Sequence, residues 1–469
     1  MPKGFPSRSH QANLRDTFPF VSATTTPSAG PAVRKASLFY FVFVMYSYTT
    51  GGPFGLESMV STSGPGMTLL YLLLLPLVWC IPVSLVSAEL TCAMPVEGGF
   101  YRWSRAAFGD FWGFLAGWWN WSASFLLGGS YAVLFADYLG YYFPQIVGWK
   151  HWLASFLLVA FITWLNVRGI QMVGKAATTF EILVFIPVIA MIGLGLTKWR
   201  HNPFVPLVPP NRPLHEVFGV GLALGLWLYS GYEQLSTVAE EVENPQRTYP
   251  RALALVVPLS IAAYFLPTLA GLAALGGWQN WKDGYFSTAA LLIGGPWLGS
   301  LMTISAMVCS VALLNSTVLT STRMPFAMAE DSYLPPFLTH KHPRYGTPWV
   351  AILISSAIYA SLAFHTLGQL ISIYNWLRAA TTVMTVLAAW GLRRKRPDLP
   401  RAFRIPSGNF GLVYVVALPV MMTYVALRYS DPIGLRWGPW ALAAGPVVYF
   451  VVKWFARRAA EKARLHSPA

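Results

Sequence analysis

The chain has 469 residues, of which 55% are hydrophobic and only 11% charged, with a net charge of +15. A soluble globular domain carries about 25% charged residues, so this composition excludes an ordinary water-soluble fold and points to lipid as the solvent. The excess of cations does not require nucleic acid as a partner, because it is explained by where Lys and Arg fall between the apolar segments.

Residues 1–35 are rich in Ser, Thr, Pro and basic residues, with one acid, Asp16, and no long apolar core. They read as a disordered cytoplasmic tail rather than a transit peptide. Apolar runs of about 20 residues, enough to cross a hydrocarbon core, then predict twelve spans: 36–62, 67–93, 108–142, 150–168, 176–198, 215–241, 250–276, 296–326, 348–365, 370–391, 410–429 and 437–455. Backbone groups in lipid must be paired internally, so these are helices. The expected fold is an all-α membrane protein. Repeat one covers about 36–198, repeat two about 215–391 and two extra helices about 410–455, followed by a cytoplasmic tail, 456–469. With the N-terminus inside, 25 of the 33 Lys and Arg fall in cytoplasmic segments, seven in outer loops, and Arg378 within a span. This asymmetry places both termini in the cytoplasm of a multi-pass protein of the cell membrane. Gly99–Asp110 mixes aromatic residues with Arg102 and Arg105, and reads equally as an amphipathic segment or a short loop.

Span one contains Gly51-Gly52-Pro53-Phe54-Gly55, followed by Leu56 and Glu57. Three glycines and a proline disfavour continuous helix. A break frees amides at the start of a second half-helix, a seat for a carboxylate; a simple proline kink is the plain alternative. In span six, Gly231 lies mid-span and Glu233 follows, a costly residue in lipid and so a functional candidate. Two interrupted spans separated by four others match inverted five-helix repeats with the site where the breaks meet. The run Glu240-Glu241-Val242-Glu243-Asn244-Pro245 is either a solvated helix end or an inner gate paired with tail residues such as Arg34 and Lys35. Glu89 reads as a structural partner or a proton relay. Asp137, six residues after Tyr131, either attracts cations at the outer vestibule or pairs locally. Glu181 stays open. Asn315, Ser316 and Thr317 in span eight, and Tyr374, Asn375 and Trp376 in span ten, line a cavity or bond between helices. His365 reads as solvated.

No catalytic constellation, phosphate-cradling loop or cofactor motif is present. Cys80, Cys92 and Cys309 suggest neither a disulfide framework nor a metal site.

The stretches Ser47–Glu57, Ala88–Pro95, Glu97–Phe100, Phe111–Trp118, Val133–Leu139, Ser236–Pro245 and Met328–Glu330 with Gly346-Thr347-Pro348 resemble the amino acid–polyamine–organocation superfamily. The likeness is to its plant-type polyamine uptake transporters and, nearby, its L-type amino acid transporters. The resemblance implies a twelve-helix fold with inverted repeats and a substrate held between helices one and six, lined further by helices three, eight and ten. It implies that Gly51, Gly52 and Gly55 contact a substrate carboxylate or line its path. It places Tyr232 at an aromatic position and Glu233 at an acidic one, while Ser230, Gly231 and Gln234 depart from the plant-type pattern. The expected activity is secondary transport of amino acids or polyamines, driven by protons, with no enzyme activity and no cofactor. The expected binding set is Gly51, Gly52, Gly55, Tyr131, Tyr229, Tyr232 and Glu233, with freed carbonyls of span six beside Glu233 holding an amine. Glu57, Asp137 and Glu233 are the candidates for proton or cation handling. The alternatives are a proton-independent exchanger and a non-transporting sensor. The sequence identifies no accessory subunit.

Overall fold

The structure, a computed structural model, describes residues 37–50, 52–94, 99–169, 175–210, 212–234 and 243–465. No strand occurs among them. Five stretches, Pro65–Ala93, Trp149–Val167, Gln246–Leu275, Pro296–Glu330 and Gly408–Arg428, are each long and apolar enough alone to cross a membrane. Among the described residues, shorter apolar helices include Val184–Thr197, Glu216–Leu228 and Trp349–Leu362.

Span one is broken into α1 (Leu38–Thr49) and α2 (Glu57–Ser63). Gly52 and Gly55 adopt φ of 121° and 91°, a region that side chains other than glycine reach only with strain. The proline-kink alternative therefore gives way to a true interruption. Span two runs as α3 (Pro65–Leu75), a π turn (Pro76–Cys80) and α4 (Ile81–Ala93). Pro76 and Pro82 supply no amide to the helical ladder, which suits the wider turn between them.

The segment after span two is a helix, α5 (Gly99–Phe108), and not a loop. Phe100, Tyr101 and Trp103 are fully buried against protein. On its polar side Tyr101, Arg102 and Arg105 converge on the carboxylate of Asp331.

Span three is the long α6 (Asp110–Leu139), followed by α7 (Trp149–Val167) and α8 (Lys175–Thr197). The first half of span six is α9 (Leu214–Leu228). Then come α10 (Pro245–Leu275), α11 (Tyr285–Gly294), α12 (Pro296–Ser321), α13 (Arg323–Glu330), α14 (Trp349–Leu362) and α15 (Leu367–Lys395). Two helices complete the chain, α16 (Gly408–Arg428) and α17 (Pro432–Leu465), the latter continuing past the predicted span end at 455. Both expose large apolar side chains such as Phe410, Tyr424 and Trp440.

The core is organised around α6 and α15, which pack extensively on each other. The two broken spans meet because α9 lies against α2. Gly221 on α9 makes this approach possible, because a Cβ there would strike Ser63; Gly225, one turn on, likewise makes room for Leu75 of α3. Close backbone approach at small residues is the usual way membrane helices associate. Ser63 seals the contact by donating to the Val217 carbonyl at 2.6 Å. Gly221→Val should destabilise the protein by about 1–3 kcal/mol through overpacking. Thermal unfolding in detergent measures it, and an unchanged midpoint would remove this account of the α2–α9 seam.

Candidate functional site

Helix α9 ends at Leu228, and the chain then turns through Tyr229, Ser230 and Gly231, whose φ is 112°. Breaking a helix at this depth frees carbonyls that need donors. They find them on α10. Tyr264 donates to the Leu228 carbonyl at 3.1 Å, and Tyr249 to the Tyr232 carbonyl at 2.7 Å. The same helix reaches the first break, where the hydroxyls of Ser260 and Thr50 lie 2.5 Å apart. Helix α10 thus braces both interruptions, and the carbonyls expected to hold an amine already have protein donors.

Between the breaks lies a cavity of about 30 Å³, room for about two water molecules. Its wall carries the rings of Phe54, Tyr131, Trp227, Tyr264 and Tyr374, the hydroxyl side chains Thr49, Thr50, Ser230 and Thr317, and Gln234 and Arg378. It therefore draws on α1, α6, both breaks, α10, α12 and α15.

The expected site residues are distributed unevenly around it. Gly51 lies outside the described residues. Gly52 and Gly55 are buried but do not line the cavity; aromatic rings pack closely on them. A Cβ on Gly52 would come within 2.8 Å of the Phe54 ring, and one on Gly55 within 2.9 Å of Trp227. Both of those rings face the cavity. Tyr131 lines it directly, its ring centroid 6.2 Å from that of Trp227. Tyr229 points elsewhere, donating to the Leu72 carbonyl of span two at 2.7 Å. Tyr232 is fully buried off the wall.

Glu57, the first residue of α2, is wholly buried. Its Oε2 accepts the Gly55 amide at 2.8 Å, and its Oε1 accepts the Tyr138 hydroxyl. The carboxylate thus occupies the helix N-terminus it belongs to, where amides and the helix dipole favour negative charge. Glu233 forms a buried ion pair with Arg378 of α15. Arg378 Nη1 also donates to Asn120 Oδ1 at 3.0 Å, and the same oxygen accepts from Gln234 at 2.6 Å.

Asp137 lies at the end of α6 with its carboxylate 2.8 Å from His151 Nε2. Beyond it, in the connection between α10 and α11, Asp283 accepts a hydrogen bond from Ser58 of α2. Burial, reinforced by the negative charge of Asp137, pushes the Asp283 carboxyl from its ordinary 3.8 up to about 6. A carboxyl raised on folding stabilises the protein while protonated. That contribution is full below about pH 4 and is lost as pH rises through about 6. Wild-type stability should therefore fall by up to about 3 kcal/mol across this window relative to Asp283→Asn, which cannot ionise. Melting curves of both proteins at pH 4 to 7 measure it, and parallel curves would contradict it.

Other candidates separate into bonding and lining roles. Thr317 and Tyr374 line the cavity, whereas Asn315 accepts from Asn166 and Asn375 donates to the Ala223 carbonyl, each at 2.8 Å. Glu89 binds arginines at the basic end of the molecule. The Glu181 side chain, Glu240, Glu241 and the tail residues Arg34 and Lys35 lie outside the described residues. His365 is exposed. Sequence reasoning missed Arg378, Asn120 and the bracing tyrosines of α10. The signal for Arg378 was available: a lone charge inside a span is expensive and seldom idle.

Residues 37–452 match the family model described as amino acid permease. This chain belongs to that family. The permease is a membrane protein and not an enzyme. Among curated relatives it is 32% identical to a probable polyamine transporter of Arabidopsis thaliana, over 85% of the permease and 83% of that relative. It is also 32% identical to polyamine transporter PUT1 of Oryza sativa subsp. japonica, over 85% of the permease and 75% of the rice protein. Polyamine transporter RMV1 of A. thaliana is 30% identical, with 87% and 84% covered. The permease is therefore a transporter of small solutes of the amino acid or polyamine type.

Proposed function

We propose that this permease is a proton-coupled secondary transporter of amine-bearing solutes, polyamines foremost, working by alternating access between the two helix breaks. The observation that carries this reading is the cavity itself. It lies where both breaks meet, and rings and hydroxyls dominate its wall. Aromatic faces attract ammonium groups, and hydroxyl oxygens accept their hydrogens. The Gly55 amide, a natural seat for an amino acid's carboxylate, is already taken by Glu57, which favours a substrate lacking one. The plant relatives, named as polyamine transporters, support the same choice. At about 30 Å³ the cavity holds about two waters, so it has to widen before such a solute fits, as alternating access would have it do.

Within this reading Tyr131 and the rings above Gly52 and Gly55 contact the substrate. Glu233 receives an amine, and Glu233 or Glu57 exchanges the proton. Asp137 sits toward the outer vestibule of a protein in the cell membrane with both termini cytoplasmic, the arrangement favoured by the distribution of Lys and Arg. One observation favours a second reading, a proton-independent amino acid exchanger: Arg378 on the wall suits a carboxylate.

A competition panel on purified protein separates the two. Putrescine and spermidine are expected to displace a bound polyamine probe at lower concentration than arginine, leucine or alanine. Stronger displacement by leucine or alanine would overturn the polyamine assignment. Uptake driven only by a pH gradient, and weakened by Glu233→Gln, tests the coupling. Counterflow without net gradient-driven uptake would favour the exchanger.

A further inference from the structure

Arg378 is the only charged side chain among the described residues that line the cavity. It lies on α15 and is 2% exposed. Its guanidinium pairs with Glu233, which is itself off the wall, and donates to Asn120. The side chain therefore touches both the cavity and the carboxylate behind it. An amine that took Glu233 from the cavity would displace the guanidinium onto the rings and hydroxyls of the wall.

A carboxylate enclosed at membrane depth is costly unless something neutralises it. A substrate ammonium, a proton or a protein cation each does so, and here the protein cation is in place. We propose that Arg378 is a tethered stand-in for the substrate's amine. It occupies Glu233 when the cavity is empty, so the empty carrier can close and reorient without a buried unpaired charge. Asn120 holds the guanidinium in that position, and Gln234, bonded to the same oxygen, ties the arrangement to break six. A carrier with such a stand-in returns empty and performs net transport. One without it returns only when loaded and is confined to exchange. The inference rests on the reading that Glu233 receives the amine.

The test uses the full chain in proteoliposomes with radiolabelled putrescine, and arginine as the second probe. Net uptake into empty vesicles is compared with counterflow into vesicles preloaded with the same compound. Wild-type protein is expected to show both fluxes. Arg378→Gln should lower the ratio of net uptake to counterflow by more than about tenfold, whereas Arg378→Lys, which keeps the cation, should hold the ratio near wild type. The double variant Glu233→Gln with Arg378→Gln has no charge left to neutralise. It should recover the wild-type ratio while binding putrescine more weakly, and it decides the matter if the single variant does not fold. A ratio unchanged in Arg378→Gln, or a double variant confined to exchange, would overturn the stand-in role. Wild-type protein that exchanges neither probe would instead remove the proposed function, and this inference with it.

Discussion

Glu89→Ala should cost the protein about 3–5 kcal/mol, the usual penalty for stranding one side of a buried ion pair. Glu89 is fully buried near the end of α4. Arg393 grips it with both arms of its fork, Nε at 2.7 Å from Oε1 and Nη2 on Oε2. Arg401 adds a contact at 3.3 Å, and the Ile405 amide donates to Oε2 at 2.8 Å. One carboxylate thus joins span two, the end of α15 and the connection leading to α16. Alanine leaves two guanidinium groups facing each other without their common anion. Glu89→Gln keeps the shape and one acceptor, and should recover only part of the loss. Thermal unfolding in detergent, with uptake as a second readout, measures both variants. An Ala variant melting with wild type would refute the joining role. Of the two readings open for Glu89, these contacts favour the structural partner over the proton relay.

Glu57→Ala should reduce uptake by more than about tenfold and destabilise the protein by about 2–6 kcal/mol, because two buried donors lose their acceptor at about 1–3 kcal/mol each. The donors are the Gly55 amide and the Tyr138 hydroxyl. The loss falls on the turn that positions Phe54 and, through Gly55, the Trp227 ring. Both rings belong to the cavity wall. Tyr138→Phe removes one donor together with its bond, so it should be milder than Glu57→Ala. If Tyr138→Phe proved the more damaging of the two, Glu57 would not be the anchor of this break.

Much of the architecture was legible because its causes are local. A Gly-Gly-Pro-Phe-Gly run strongly disfavours continuous helix, and the glycines at 52 and 55 do take positive φ. Gly231 marked the second break only through its pairing with the first, four spans away, and its nearness to Glu233. The character of Gly99–Asp110 was less legible, since a segment of twelve residues with mixed polarity becomes a helix or a loop according to what covers it. Here a protein surface covers Phe100 and Trp103. The site was harder still. Tyr229 and Tyr232 flank Gly231 in sequence, yet neither reaches the cavity. Ser230 and Gln234, which depart from the plant-type pattern, do.

Local chemistry along the chain was enough to make this a helical membrane protein, to set roughly where its spans lie and to mark where two of them break. Hydropathy, segment length and the torsional limits of glycine and proline act over a few residues and do not wait for packing. The partners of the buried charges follow from packing alone. The partner of Glu57 is Tyr138 on span three, and the partner of Glu233 is Arg378 on span ten. Such pairings depend on how helices far apart in the chain are rotated against one another. In lipid, where an unpaired charge is costly, that rotation decides which donor or cation each carboxylate meets.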